Sequence, residues 1–350
     1  MTTSNSILFL GDVYLDRPYR IPSLDTPFVF NLEAPLTEHD KPLPDKIVLK
    51  SSGDFLKKTF DPLPTAVCLA NNHIMDYGVK GFEDTINFLE NNRIGYFGAG
   101  TPKNNHNNPL VLDIAGHRTA LLGYCYNAYF GQVDSGFKMK YTPAPLDADR
   151  IKRDIAAIRG SCDRIIVNLH WGRLYSNYPR KAEVELARTV IDAGANVLIG
   201  HHAHTLQPVE TYKNGLIAYN IGNFIFPDID LPTHYTDRGH PTRRRIIKQR
   251  KWHNSSAGIL VDVPNTACEI KYFLRCGDAV KYGRSFFHRY LHINIDNVYE
   301  KADMLSLRSS DYKKVFERIL NYLDNPKIPS KEGSRQMARQ LQLLWPWGKK

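Results

Sequence analysis

The chain has no apolar run approaching the roughly 18 residues that a membrane-spanning helix needs, so no transmembrane segment is predicted. Its opening residues, MTTSNSILFLGDVYLD, carry no basic stretch, and their apolar run is only four residues long. They read as a first strand and not as a signal peptide, which makes a cytoplasmic chain the expectation. Cysteine is scarce, with Cys68, Cys125, Cys162, Cys268 and Cys276 widely spaced and no Cys-x-x-Cys pair among them. That argues for a reducing compartment and against cysteine-ligated zinc. Internal repeats and low-complexity segments are lacking, and GYFGAG at 95–100 has neither the spacing nor the following helix of a dinucleotide fingerprint. Acid is in deficit: 36 Asp+Glu stand against 46 Lys+Arg, a net charge of +10. Such a balance favours polyanionic partners, whether nucleic acid, an acidic polymer, nucleotide-linked substrates or anionic lipid.

What is present is ordinary in bulk and informative in pattern. A length of 350 residues with 42% hydrophobic and 23% charged residues fits a soluble globular protein of one large or two small domains. Several apolar, strand-like runs stop at a residue that can bind a metal. Ile7–Leu10 runs into Gly11-Asp12, where glycine allows close backbone approach. Val29–Leu32 ends with Asn31 and Glu33 before Pro35, and Thr65–Ala70 ends in Asn71-Asn72-His73 with Asp76 close behind. Asn72 and His73 side by side suit one ligand and one proton donor; a turn capped by His73 is the alternative. Asp163–Leu169 stops at His170, and Val197–Ile199 stops at Gly200 followed by His201, His202 and His204. Carboxylates, an amide and imidazoles together form the oxygen and nitrogen set of a divalent metal site holding one or two ions, with Mn, Zn, Fe or Mg as the candidates.

Past Phe226 the chain becomes proline-rich and then basic, with Arg243, Arg244, Arg245, Lys248, Arg250 and Lys251. Residues 227–256 are expected to be a long basic loop inserted in a domain spanning 1–275. The remainder, 276–350, is expected to be a helical extension ending in an amphipathic tail with Trp345, Trp347, Lys349 and Lys350. That tail could pack on the domain, dock on a partner or lie against an anionic membrane at its inner face.

Together these segments resemble the CapA family, the capsule and poly-γ-glutamate synthesis proteins with a metallophosphoesterase-like fold. The resemblance rests on Gly11-Asp12 with Leu15 and Arg17, on Asn31-Leu32-Glu33-Ala34-Pro35-Leu36, and on Asn71-Asn72-His73 with Asp76-Tyr77-Gly78. It continues through His170-Trp171-Gly172, Gly200-His201-His202-Ala203-His204 and Gly222-Asn223-Phe224, covering roughly residues 6–275. It implies an α/β protein built as a four-layer α-β-β-α sandwich, the calcineurin-like metallophosphoesterase fold. By the same resemblance Asp12 would hold one metal with His204, Glu33 would bridge, and Asn72, His170 and His202 would hold a second. His73 would be the general acid, oriented by Asp76, with Arg17, Asn31, His201 and Asn223 near the substrate. Two residues depart from the pattern. Tyr14 stands where those enzymes carry a histidine, which makes His201 a candidate replacement, and the bridging position is glutamate instead of aspartate.

The leading expectation is therefore a metal-dependent, phosphoesterase-like hydrolase in capsule or cell-surface polymer biosynthesis, acting on an anionic polymer or a phosphorylated or nucleotide-linked precursor. A non-catalytic capsule-assembly protein that grips a polyanion is the alternative. A nuclease is the remote third, because no aromatic interleaving accompanies the basic run and nucleic acid is not the expected partner.

Overall fold

A computed structural model describes residues 4–44, 46–126, 140–236, 239–283 and Ile295. The chain divides into units Met1–His292 and Ile293–Lys350. The second unit lies outside the described residues save Ile295, and so does the rest of the expected helical extension beyond residue 283, the Trp345–Lys350 tail included.

Two sheets dominate the first unit. One is eight-stranded, with Ser6–Val13 at its centre flanked by Phe28–Leu32 and Ser255–Asp262. Ala66–Cys68 and Gly95–Phe97 extend it on one side and Ala267–Cys276 and Ala279–Tyr282 on the other, while Asn223–Ile225 pairs with the far end of Ser6–Val13. The sheet thus continues to Tyr282, past residue 275. The second sheet has six strands in the order Val209–Tyr212, Gly215–Ala218, Val197–His201, Arg164–His170, His117–Cys125 and Leu110–Ile114.

The layering follows from alternation along the strands. Ile7 and Phe9 face the second sheet and share a buried cluster with Ile166, Val197 and Ile199. Leu8 and Leu10 face the other way, onto Phe82 and Leu89 of the helix Gly78–Asn91. On the outer side of the second sheet, Ala148–Ile158 and Lys181–Asp192 bury Ile151 and Ile155, and Val184, Ala187 and Ile191. Asp147 caps the first of these by accepting from Arg150 N at 2.7 Å. Helix, sheet, sheet and helices make the four-layer α-β-β-α sandwich, its main core lying between the sheets.

The strands that matter are parallel within each sheet: Ser6–Val13, Phe28–Leu32 and Ala66–Cys68 in the first, Arg164–His170 and Val197–His201 in the second. Parallel strands deliver all their C-terminal ends to one edge, where ligand-type side chains can meet. The expected basic loop takes a different form. Ile229–Tyr235 and Pro241–Ile247 pair as an antiparallel hairpin, with Arg244 on Asp230 at 2.6 Å. Its arginine-rich strand is exposed on both faces, so it lacks the apolar alternation that marks a strand in sequence.

Candidate metal centre

Asp12 reaches the site through a bulge. Leu10 pairs with Phe30 but Asp12 pairs with Asn31, so Gly11 is the extra residue. A Cβ on Gly11 would stand 2.0 Å from Gly222 O, and the close approach lets Asp12 N donate to that same carbonyl at 3.0 Å. On the neighbouring strand, Asn31 and Glu33 are two residues apart and therefore share a face. Asn31 Nδ2 donates to Asp12 Oδ1 and to Glu33 Oε2, both at 2.9 Å, and lies 3.4 Å from His170 Nδ1. Asn71 in turn donates to Asn31 Oδ1 at 3.0 Å and accepts from the backbone of His73 and Ile74, which shapes the loop bearing Asn72. Asn71 is thus both turn former and support.

The second sheet supplies the imidazoles. His170 ends its strand with Nε2 2.7 Å from Asn72 Oδ1, 3.1 Å from His202 Nδ1 and 3.5 Å from Glu33 Oε1. His201 Nδ1 donates to Asp12 Oδ1 at 2.9 Å, while its Nε2 faces Asn168 Oδ1 at 3.3 Å. His202 and His204 both take left-handed backbone, at φ 85° and 54°. Non-glycine residues held there are strained, and such strain persists where surrounding structure fixes a functional loop. His204 Nδ1 donates to Asn223 Oδ1 at 2.8 Å, which directs Nε2 toward Glu33 Oε1 at 3.7 Å. Asn223 is held by donating to His253 O at 3.1 Å.

Among the described residues two groups of potential ligand atoms emerge, each within 4.8 Å: Glu33 with His170 and His202, and Asp12 with Glu33 and His204. Glu33 belongs to both. Its Oε1 is buried and finds no hydrogen-bond partner among the described residues, although imidazole nitrogens converge on it from two sides. An orphaned buried carboxylate oxygen is costly unless a cation or proton meets it.

The charges say the same. Burial, and then the charge of Asp12, push Glu33 well above the ordinary carboxylate range. Burial would also raise Asp12, yet hydrogen bonds from His201 and His204 and their charge hold it well below its usual value. Burial and His204 push His202 down to about 3, and burial with His202 holds His170 well below the usual imidazole value. Neutral imidazoles and clustered carboxylates are what a divalent ion requires of its ligands. The residues present therefore fit one or two such ions, with Glu33 shared.

Beside this cluster, His73 Nδ1 meets Asp76 Oδ2 at 2.7 Å, and Leu49 N donates to the same oxygen at 2.6 Å. Lys46 pairs with Asp76 Oδ1 and donates to Asn72 O at 2.7 Å. Of the residues expected near a substrate, Asn31, His201 and Asn223 are buried among the ligands, their polar atoms engaged there. Arg17 points elsewhere, toward Asp16 at 3.9 Å and the Tyr19 ring. Tyr14 brings no ligand to the first position; it packs 5.5 Å from Phe226 in an apolar cluster with Ala34, Leu49 and Ile229. Sequence reading missed Lys46 and Asn168, and named Asn71 only within a strand-end motif without a role of its own. Only Asn168 carries a signal, since it precedes His170 by two residues on one strand and so shares its face.

Comparison with known proteins agrees with the sequence pattern. The chain is 33% identical over 204 residues to the "Capsule biosynthesis protein CapA" of Bacillus anthracis, covering 56% of this chain and 49% of that one. It is 33% identical over 202 residues to the "PGA biosynthesis protein CapA" of Bacillus subtilis, covering 56% and 52%. The chain thus spans about half the length of the curated relatives it matches. Among solved structures it is similar to the calcineurin-like phosphoesterase YfkN of Bacillus subtilis, with TM-score 0.41, 12% identity and coverage of 79% of this chain and 87% of that one. The 5′-nucleotidase of Candida albicans gives TM-score 0.41 at 11% identity, covering 88% and 60%. Residues 23–228 match the family described as "Bacterial capsule synthesis protein PGA_cap", and the chain belongs to that family.

Proposed function

We propose that this chain is a divalent-metal-dependent hydrolase of phosphoester type, working in capsule or cell-surface polymer biosynthesis. The observation that carries the proposal is Glu33 Oε1, buried, unpartnered and common to two groups of ligand atoms. Asp12, Glu33 and His204 would hold one ion; Glu33, Asn72, His170 and His202 would hold the other. Such a pair of ions supplies an activated water nucleophile and neutralises charge on a phosphoryl group.

The chain's own residues do the rest. Asn31 fixes both carboxylates, and Asn223 fixes the His204 ring. Asp76 accepts from His73 Nδ1, and in the imidazolium form, which burial disfavours and the Asp76 charge favours, His73 would pass its Nε2 proton to a leaving oxygen. An anionic polymer or a phosphorylated precursor would find positive charge nearby. Arg250 stands beside His253, donating its backbone N–H to His253 Nδ1 at 3.4 Å, and His253 stacks on Tyr175, whose ring lies 6.2 Å from that of His204.

The test is metal analysis of purified protein, then reloading with manganese, zinc, iron or magnesium and assay on p-nitrophenyl phosphate and bis(p-nitrophenyl) phosphate. We expect bound metal, turnover lost in Asp12→Ala and His204→Ala, and a loss on the order of 10²–10⁴-fold in His73→Ala. Protein without metal, or variants as active as the parent, would refute the proposal. Tyr14, withdrawn into its apolar cluster, favours a second reading as a polyanion-binding assembly protein; bound metal without turnover would select it.

A further inference from the structure

Lys46 is nearly inaccessible, with 3% of its side chain exposed, and Asp76 is fully buried. A lysine so placed serves something specific, because desolvating an ammonium is costly unless it is paired and hydrogen-bonded. Its Nζ reaches partners of different kinds. One is Asp76 Oδ1, on the carboxylate whose other oxygen holds His73. Another is the backbone carbonyl of Asn72, whose side-chain oxygen lies 2.7 Å from His170 Nε2.

The backbone of Lys46 is tied as firmly from outside. Its carbonyl accepts from Thr233 Oγ1 at 2.9 Å and from His234 N at 3.1 Å, and Pro44 bridges to Tyr235. Thr233, His234 and Tyr235 belong to the first strand of the basic hairpin. Hydrogen bonds from the hairpin to the Lys46 backbone, with the hydrogen bond and the ion pair of its side chain, thus link the hairpin to Asn72 and to the His73–Asp76 pair.

We infer that Lys46 is a positioning residue, clamped by the basic hairpin, that fixes the His73–Asp76 pair and the Asn72 ligand relative to one another. The inference rests on the metal-hydrolase reading and extends it. A leaving-group acid must sit at a set distance from the reacting phosphoryl group, and the ions set where that group lies. One ammonium touching both the acid's carboxylate and the ligand's carbonyl fixes that distance. It also makes the hairpin part of the catalytic framework, since Thr233 and His234 place Lys46.

The experiment compares wild type, Lys46→Met and the milder Thr233→Val, each checked by circular dichroism and melting temperature. Manganese affinity is read by titration of metal-free protein. Activity is read on a p-nitrophenyl ester and the corresponding phenyl ester, whose poorer leaving group depends on the acid. Lys46→Met is expected to weaken manganese binding about 10–100-fold, as loss of a ligand-supporting group does. It should lower phenyl-ester turnover at least about 100-fold, as loss of a positioned acid does, and p-nitrophenyl turnover far less. Thr233→Val should move both quantities in the same direction by several-fold, and in a His73→Ala background Lys46→Met should no longer separate the two esters. Folded Lys46→Met with unchanged manganese affinity, or with equal losses on both esters, would overturn the inference. Wild type that binds manganese but hydrolyses neither ester would refute the hydrolase reading, and the affinity change alone would then decide the Asn72 half. Wild type that binds no manganese would overturn both.

Discussion

His201 Nδ1 lies 2.9 Å from Asp12 Oδ1, and its second ring nitrogen faces Asn168 Oδ1. Both nitrogens are thereby engaged, so His201 is placed to support the candidate ligand Asp12 and not to replace the histidine absent at Tyr14. His201→Ala is expected to weaken binding at the Asp12 position about 10–100-fold while leaving the number of nitrogen ligands unchanged. Metal titration and X-ray absorption on the same sample check this; a nitrogen lost from the coordination shell would make His201 a direct ligand.

Glu33→Gln preserves shape and removes charge at the shared position. Metal binding should be lost at both positions. In chelator, the pH dependence of stability should change as well. Burial, then Asp12, raises the folded-state pKa of Glu33 above its ordinary value of 4.5, so its contribution to stability is present below that value and lost as pH rises. Metal-free Glu33→Gln should therefore lose less stability than metal-free wild type between about pH 5 and pH 8. Thermal melts at both pH values decide it, and identical slopes would contradict the argument.

His106 offers a test remote from the metal ligands. Its Nδ1 donates to Thr142 O at 3.0 Å, and burial depresses its pKa from the ordinary 6.5. A buried neutral imidazole binds its proton later than the unfolded chain does, so stability falls as pH drops below about 6.5. His106→Gln should flatten that decline. Chemical denaturation between pH 7 and pH 5 measures it, and an equal decline in both proteins would remove His106 as a cause.

Gly200 sits where the strand meets the histidine loop. A Cβ there would stand 1.8 Å from Tyr219 O and 2.7 Å from Trp171 Nε1. Gly200→Ala should destabilise by at least about 1–3 kcal/mol and lower metal affinity, because the loop bearing His201–His204 must shift. Gly160→Ala is the control, with nothing within 4 Å of the new carbon. Comparable melting temperatures for the two variants would show that the strand accommodates the clash.

The ligand-bearing strand ends were legible because a buried parallel strand is an apolar run, and a polar residue where it stops is conspicuous. Asp12, Glu33, Asn72, His170, His202 and His204 all stand at such stops, and the structure gathers them. Residues whose roles depend on distant partners left no mark. Lys46 sits in the plain stretch DKIVLK and acquires its partners only when Asp76 and Thr233 arrive. Asn223 is expected near a substrate, and that it holds the His204 ring while bound to His253 O appears only in the fold. The hairpin escaped for the opposite reason. PTRRRII offers no apolar face, and the strand is specified by pairing to Ile229–Tyr235 and by Arg244 on Asp230.

The candidate ligands are divided between the two sheets. Asp12, Glu33 and Asn72 come from the first, and His170, His202 and His204 follow strands of the second. The second sheet occupies a continuous stretch of sequence between the early and late strands of the first. Neither layer holds the full set, and Asp12 waits for a histidine nearly two hundred positions later in the chain. The centre therefore comes into being only when the layers have docked in register. An ion bound there would act as a rivet through the sandwich, and its capture would report that the two sheets have docked.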